Sequence, residues 1–339
     1  MQGFSFRQSS VSSARLRLRL IRWVVLCSCL FTATNRTNSW GAEKRVVKLC
    51  LEVEVADLRA GQPVAVWLPI PQKTPFQSAE LTESDGNFEL RRHRERRFDN
   101  EMLSGGGLVP PNGVLRFSST WQVTRFRVPN ETRHSEPARS LSRWMYSTPR
   151  VPIGGHTRKL IDGETLPADD FETAQYLFER VREHMDYDKS RPGYGMGDAV
   201  WACNSRFGNC TDFHSLFLSL ARSEEIPGRF EIGVSLPANQ SSGSLFGYHC
   251  WAWFHTHGSG WQPVDISEAD RHPQQAGEFF GQLDANRIVL SRGRNLTLQP
   301  AQQAPPLNYF CAPWIELDGK PVSKEAVLFR MQFEDLAMP

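Results

Sequence analysis

The 339-residue sequence lacks several features that mark common classes of protein. It has no CxxC pair, no Cys/His spacing typical of zinc and no acidic loop of the calcium-binding type, so no metal site is predicted. Its formal net charge is only +2, which gives no electrostatic argument for binding nucleic acid or an acidic membrane surface. No apolar stretch is long enough to cross a bilayer, and no internal repeat is present.

Cysteine is sparse, and its count is odd once the first 41 residues are set aside. The five remaining cysteines are Cys50, Cys203, Cys210, Cys250 and Cys311. In an oxidising compartment an odd count leaves at least one thiol unpaired, which a cysteine nucleophile requires. Buried structural thiols also give odd counts. Cys203 and Cys250 are candidates either for a disulfide or for two buried thiols.

Residues 1–41 are predicted to be a secretory signal peptide. Four closely spaced arginines precede an apolar run of eleven residues, 23–33, and Ser39 and Gly41 are small residues suited to a cleavage site. The pattern predicts an exported protein, periplasmic or extracellular, with no membrane span in the mature chain. The alternatives are an uncleaved N-terminal anchor and a lipoprotein acylated at Cys29, which the short preceding apolar run disfavours.

The length suits two domains better than one. Residues 45–130 are predicted to be β-rich and sandwich-like, because apolar residues alternate with polar ones at 47–55 and 115–123 between turn-rich stretches. The polar, proline-dotted segment 131–157 is a predicted linker. Residues 301–339 are predicted to hold a closing strand and a tail, with no evident chemistry.

Residues 158–300 are predicted to form an α+β domain that carries the chemistry. Apolar residues recur with helical spacing over 171–185, and a second helix is predicted to begin near Cys210. Strand patterns follow at 230–234 and 247–254, and the order of helices before strands is typical of an α+β fold.

Three alternate glycines, Gly193, Gly195 and Gly197, lie between the two predicted helices. Their spacing predicts a flexible loop. The loop is not predicted to bind phosphate, because it lacks the Gly-Lys-Ser/Thr ending and no predicted strand precedes it.

Cys210 is the candidate nucleophile. A thiol at the start of a helix lies at the positive end of the helix dipole and close to unpaired N–H groups, and both favour the thiolate. The same N–H groups can stabilise an oxyanion. Gly208 allows a tight turn into the helix. The local sequence fits equally well a small buried cysteine at the start of a core helix.

His249 and Asp265 are the candidate partners of the thiol. Alternation along the predicted strand places His249, Trp251 and Trp253 on one face, where the aromatic rings are expected to shape a cleft. A turn at 259–260 would pair the next strand antiparallel and bring Asp265 to the second imidazole nitrogen. Taken alone, the histidine could equally be a core or surface residue, and the aspartate would be a turn or cap residue.

The order helix-Cys, strand-His, strand-Asp is more specific than any of its parts. Over about 165–290 the sequence resembles the bacterial exported members of the transglutaminase-like superfamily, in the motifs Gly208-Asn209-Cys210-Thr211-Asp212-Phe213, Ala221-Arg222, Ile226-Pro227-Gly228-Arg229, Tyr248-His249-Cys250-Trp251 and Gly260-Trp261-Gln262-Pro263-Val264-Asp265. The resemblance implies a papain-like core that needs no cofactor. It also implies a Cys210 nucleophile, a His249 general acid/base and an orienting Asp265.

Two points about the site stay open. Trp201, Asn204 and Tyr187 all precede the nucleophile, and each is a candidate for the second oxyanion donor. His214 lies one helical turn beyond Cys210 and could compete as the base, although its position beside the thiol rather than across the substrate disfavours it.

The predicted function is cysteine-dependent hydrolysis of a peptide or protein amide bond, or acyl transfer from it, through a thioester intermediate. Hydrolysis is favoured over cross-linking, because no acceptor-lysine site is recognisable in the sequence. The alternative is a non-catalytic module that binds peptides or glycans on the same fold. No nucleic acid partner is predicted.

Overall fold

The computed structural model describes residues 44–130 and 138–337, and the predicted signal peptide lies outside them. The strands are β1 (Lys44–Val55), β2 (Pro63–Pro69), β3 (Gln77–Gly86), β4 (Arg91–Arg94), β5 (Glu101–Leu108), β6 (Leu115–Phe126), β7 (Asp186–Tyr187), β8 (Phe207–Gly208), β9 (Gly228–Ser235), β10 (Ser242–Leu245), β11 (His249–Thr256), β12 (Gly260–Val264), β13 (Arg287–Arg292), β14 (Trp314–Leu317), β15 (Lys320–Pro321) and β16 (Leu328–Asp335). The helices are α1 (Ala138–Leu141), α2 (Asp170–His184), α3 (Ala199–Ser205), α4 (Cys210–Ser223) and α5 (Ile266–Arg271).

Two five-stranded antiparallel sheets form a β-rich, sandwich-like region. Their strand orders are β10-β16-β1-β6-β3 and β15-β14-β2-β5-β4. Alternate residues of β1, from Val47 to Val55, are buried, and β6 shows the same pattern from Leu115 to Val123. This alternation is what one buried sheet face requires, and the predicted β-rich region and α+β class are confirmed.

The sandwich is not built from the N-terminal residues alone. β16 pairs antiparallel with β1 along Val47–Glu54, and β14 pairs with β2. β10, which comes from the middle of the chain, pairs with β16. The predicted boundary at residue 300 therefore separates strands that share a sheet, because the strands β1 and β2 need partners for their exposed backbone groups.

The second region packs α4 against a four-stranded sheet ordered β12-β11-β9-β13. α4 begins where it does because of a capping box. The Asn209 side chain accepts the Thr211 N–H, and the Asp212 carboxylate accepts the Asn209 N–H. Every residue of β11 and β12 is buried, so this sheet is covered on both faces.

Two buried glutamines join the regions. The Gln77 side chain donates to the Val289 carbonyl at 3.0 Å and accepts the Val289 N–H at 2.8 Å. Gln72 Nε2 donates to the Leu290 carbonyl at 3.0 Å. These bonds hold β13 against the sandwich, and β13 carries Arg287, which contacts the site described below. No helix within 44–130 or 138–337 is both long and apolar enough to span a membrane.

Candidate active site

The structure brings Cys210, His249 and Asp265 together from three different elements. Cys210 is the first residue of α4, His249 is the first residue of β11, and Asp265 caps the N-terminus of α5. His249 Nε2 lies 2.6 Å from Asp265 Oδ2, and the imidazole also hydrogen-bonds the Cys210 thiol. The hairpin of β11 and β12 produces this arrangement, because Thr256 pairs with Gly260 and Ala252 with Val264.

Cys210 is almost completely buried, with 2% of the residue's surface exposed. Burial acts to raise its pKa, but hydrogen bonds to Cys250 and His249 and the charge of His249 outweigh burial and hold the pKa well below its usual value. The position at the first turn of α4 adds the favourable end of the helix dipole. Cys210 is therefore placed to be a thiolate at neutral pH.

The His249 imidazole carries the complementary shift. Burial lowers its pKa, but the Asp265 carboxylate and the hydrogen bonds to Asp265 and Cys210 raise the pKa to about 10. Protonated His249 beside ionised Cys210 is a thiolate–imidazolium pair, the form in which a cysteine nucleophile is reactive.

Asp265 is a fully buried carboxylate with several donors around it. Arg287 donates from Nη2 at 2.8 Å, Ser267 Oγ donates at 3.0 Å, and the Glu268 N–H donates at 3.1 Å. Burial raises the pKa of Asp265, but His249 and Arg287 together hold it well below its usual range. The carboxylate therefore stays ionised and fixes the imidazole in one orientation.

Arg287 was not predicted from the sequence. It is 3% exposed and bridges two carboxylates, Asp265 at 2.8 Å and Asp284 at 2.7 Å. An arginine at the start of the apolar run 288–290 was the feature that could have drawn attention to it, because a buried guanidinium requires buried partners.

Both ring nitrogens of His214, the alternative base, are bound to backbone groups. Its Nδ1 donates to the Cys210 carbonyl at 2.6 Å, and its Nε2 accepts the Ile266 N–H at 3.1 Å. Burial lowers the pKa of His214, which keeps the ring neutral with both nitrogens occupied. His214 instead ties the first turn of α4 to the start of α5, and so fixes Cys210 relative to Asp265.

Hydrogen bonds to the start of α4 anchor the glycine loop that was predicted to be flexible. Asp212 accepts the N–H of Gly195 at 2.6 Å and the N–H of Gly197 at 2.9 Å. Gly195 has a φ of 88°, and a Cβ there would meet Asn209 Nδ2 at 3.2 Å, so glycine lets the loop approach the start of α4. Burial raises the pKa of Asp212 to about 6, although these N–H bonds lower it.

The three candidate oxyanion donors are placed differently. Tyr187 pairs with Gly208 across β7 and β8, and its phenol interacts electrostatically with Cys210. Asn204 Oδ1 is hydrogen-bonded to His156 Nε2 at 2.7 Å. The Trp201 ring packs against Phe207, with the two ring centroids 5.2 Å apart. Of the three side chains, Tyr187 is the one that interacts with Cys210, which makes its hydroxyl the candidate second donor.

The expected aromatic cleft is also wrong. Trp251 and Trp253 do share a face with His249, but both are buried and donate their indole N–H groups to Glu231, at 2.8 Å and 2.7 Å. That face of β11 packs towards the sandwich, where the ring of Phe76 stacks on Trp253. These rings therefore form core rather than the wall of a cleft.

Two tyrosines lie beside the site instead. The Tyr248 hydroxyl accepts from Asn209 Nδ2 at 3.0 Å, and the Tyr309 ring lies 5.6 Å from the Tyr248 ring. Tyr309 also donates to the Gly195 carbonyl at 3.3 Å. The sequence analysis missed Tyr309, because it belongs to the C-terminal segment to which no chemistry was assigned.

The cysteines of the described ranges are all free thiols, so Cys203 and Cys250 do not form a disulfide. In those same ranges, no group of three or more His, Cys, Asp or Glu side chains is arranged to hold a metal ion.

Comparisons with known proteins show what the second region is similar to. Residues 157–266 match the family model of the transglutaminase-like superfamily. An uncharacterized protein of Haemophilus influenzae is 27% identical over 367 residues, covering 90% of this chain and 95% of that protein. A structure from Cytophaga hutchinsonii, described as a proposed cysteine protease, has a TM-score of 0.56 at 12% identity and covers 88% of this chain and 93% of that one. This similarity shows the fold.

Proposed function

Because the chain carries the core of the transglutaminase-like superfamily, we propose that it is a cysteine enzyme that cleaves amide bonds of peptides or proteins through a thioester on Cys210. One observation supports this function above the others. His249 lies between a carboxylate and a thiol: its Nε2 is 2.6 Å from Asp265 Oδ2, and the ring interacts with Cys210 at the start of α4, which lowers the pKa of the thiol. A core cysteine with a purely structural role needs no such partners.

In the first step the Cys210 thiolate attacks the carbonyl carbon of the substrate amide. The developing oxyanion accepts hydrogen bonds from the Cys210 N–H and from the Tyr187 hydroxyl. Imidazolium His249 then gives its proton to the leaving amine, and the C–N bond breaks to leave a thioester on Cys210.

In the second step a water molecule attacks the thioester. Neutral His249 takes the proton of the water, and the Cys210 thiolate leaves, which restores the thiolate–imidazolium pair. Asp265, held by Arg287, stabilises the imidazolium that forms again. An amine in place of water would give acyl transfer by the same steps, and hydrolysis remains the favoured outcome.

The pattern of the first 41 residues supports export to the periplasm or the cell exterior as part of this proposal. In such a compartment the substrates would be peptides or proteins of the envelope or the surroundings.

The proposal is tested by trapping the thioester. The purified protein is incubated with glutamine-containing peptides and quenched in acid, and intact and peptide masses are then measured beside a Cys210→Ala control. We expect an acyl adduct on Cys210 that hydroxylamine removes, together with release of ammonia or of a cleaved amine. A wild-type protein that forms no adduct and releases no more amine than the control, with a varied peptide library, would favour the non-catalytic binding module.

A further inference from the structure

A second buried thiol lies directly behind the nucleophile. Cys250 follows His249 on β11, so its side chain points to the opposite face of the strand, towards α4. Its Sγ lies 3.7 Å from Thr211 Oγ1 and 3.7 Å from His214 Nδ1. These two residues are the first and fourth after Cys210, so Cys250 faces the first turn of α4.

These contacts place Cys250 beside the residues that follow Cys210 in α4, and the two thiols shift each other's pKa. Their properties are opposite. Burial and the neighbouring Cys210 charge raise the pKa of Cys250 well above its usual value, whereas the pKa of Cys210 is lowered. One sulfur is therefore an anionic nucleophile, and the other keeps its proton beside it. In the amide-cleaving steps Cys250 helps to lower the pKa of Cys210, but it forms and breaks no bond.

We propose that Cys250 is a resolving thiol, which closes a disulfide with Cys210 after a hydroperoxide has oxidised the nucleophile. The disulfide switches the site off and protects Cys210 from irreversible oxidation, and a dithiol reductant opens it again. The inference rests on the proposed reactivity of Cys210. It does not depend on which amide, if any, the protein cleaves.

The chemistry balances in two steps. The Cys210 thiolate attacks one oxygen of the hydroperoxide, the S–O bond forms as the O–O bond breaks, and hydroxide or alkoxide leaves, so sulfur is oxidised by two electrons and the peroxide is reduced. The Cys250 sulfur then attacks the Cys210 sulfur. The S–S bond forms, the S–O bond breaks, and the hydroxyl leaves as water with the proton of Cys250.

The other thiols of the described ranges are less suited to this role. Cys50 lies in β1, with its Sγ 3.8 Å from Thr120 Oγ1 on the neighbouring strand. Cys203 lies in α3, and the charge that acts on its thiol is that of Arg206 rather than that of Cys210. Cys311 is buried with its pKa raised to about 12, and it interacts with Cys210 through charge, without a hydrogen bond. Cys311 is therefore the alternative partner that the experiment must separate from Cys250.

The experiment follows the fate of Cys210 by peptide mass mapping without reduction. Reduced wild-type protein, Cys250→Ser, Cys250→Ala, Cys311→Ser and Cys203→Ser are treated with a small excess of hydrogen peroxide. Half of each sample is then treated with a dithiol reductant, and the free thiols of both halves are blocked with iodoacetamide. Circular dichroism confirms that each variant is folded.

We expect wild type, Cys311→Ser and Cys203→Ser to give a peptide pair joined through Cys210 and Cys250. In these proteins the reductant should restore alkylation of Cys210. Both Cys250 variants should give sulfinic and sulfonic acid at Cys210, with recoverable alkylation reduced at least about tenfold. The two Cys250 variants guard against an effect peculiar to one substitution.

Three results would overturn the inference. They are a Cys210–Cys311 cross-link in wild type, the same oxidation products with and without Cys250, or no oxidation of Cys210 under these conditions. A protein that forms the Cys210–Cys250 disulfide but cleaves no amide would contradict the proposed function alone. A protein that cleaves amides but forms no such disulfide would contradict only the present inference.

Discussion

The two regions of the molecule differ in how they use buried charge. In the sandwich the inward faces of β1 and β6 are mainly apolar, with Arg125 at the end of β6 as an exception, and ion pairs such as Arg116–Glu54 lie on the exposed side. The second region gathers buried ionisable side chains around the candidate site, among them Asp212, Asp265 and Arg287. Burying a charge is costly unless it is paired, so these side chains depend on their partners.

Buried charges surround the candidate active site, but a buried ion pair by itself does not identify an active site. Arg229 and Glu231 also form a buried pair, with Nε and Oε1 3.1 Å apart, and Glu231 is bound by the indoles of Trp251 and Trp253. That pair lies in the core between the sheet and the sandwich. The pair of His249 and Asp265 differs because His249 also interacts with the thiol of Cys210, which lies at the N-terminus of α4.

The largest expected effect is the difference in cleavage rate between two cysteine variants, one in each region. Cys210→Ala should lower the rate of amide cleavage on the order of 10⁴-fold or more, because the covalent route is lost. Cys50→Ala, in the sandwich, should leave the rate within about twofold of wild type. Rates are measured with the best peptide found by thioester trapping. Equal losses in both variants would show that the chemistry does not depend on Cys210 in particular.

The next effect compares a buried arginine with an exposed one. Arg287→Gln should lower the free energy of unfolding by about 3–5 kcal/mol, because Asp265 and Asp284 are left buried without their partner. Arg116→Gln, which removes the exposed pair with Glu54, should cost less than about 1 kcal/mol. Urea denaturation at pH 7 measures both. Similar losses for the two variants would contradict the contrast drawn between the regions.

A smaller effect distinguishes the oxyanion donors. Tyr187→Phe keeps the ring and removes only the hydroxyl, so kcat should fall about 10²-fold with little change in KM. Trp201→Phe and Asn204→Ala should stay close to wild type, because their side chains are engaged elsewhere. If kcat falls for Trp201→Phe and not for Tyr187→Phe, the assignment of the donor is wrong.

The smallest effect concerns the glycine loop. Asp212→Asn replaces an acceptor oxygen with a donor, so Gly195 and Gly197 lose part of their anchoring, and their amides should exchange hydrogen about tenfold faster. Asp169→Asn changes the cap of α2 and should leave both amides unchanged. Hydrogen exchange followed by mass spectrometry compares the two. Unchanged exchange in Asp212→Asn would mean that other contacts hold the loop.

The same contrast explains what the sequence could predict. In the sandwich a strand has one buried face, so the alternation in β1 and β6 gave both the strands and their inner residues. In the second region β11 is buried on both faces. Alternation there correctly grouped His249 with Trp251 and Trp253, but it could not show that the aromatic side meets the sandwich and not solvent.

The parts of the site that were missed depend on contacts between distant residues. Tyr309 bonds Gly195 from 114 positions away, and Gln77 holds β13 from 212 positions away. No local pattern encodes such pairings. The positions of Cys210, His249 and Asp265 were predictable because a helix start and a tight hairpin are local features. Their catalytic roles remain the proposal that the experiments address.

The most direct test of the central proposal is the pH dependence of Cys210 alkylation by iodoacetamide, with mass spectrometry to identify the labelled site. In wild type the pKa of Cys210 is lowered and the pKa of His249 is raised to about 10, so we expect a thiolate–imidazolium pair from below neutral pH up to about pH 10. We predict fast labelling that persists well below neutral pH, and in His249→Ala a shift towards an ordinary thiol profile. Slow labelling with an ordinary thiol profile in both proteins would contradict the proposed ion pair and the enzyme that depends on it.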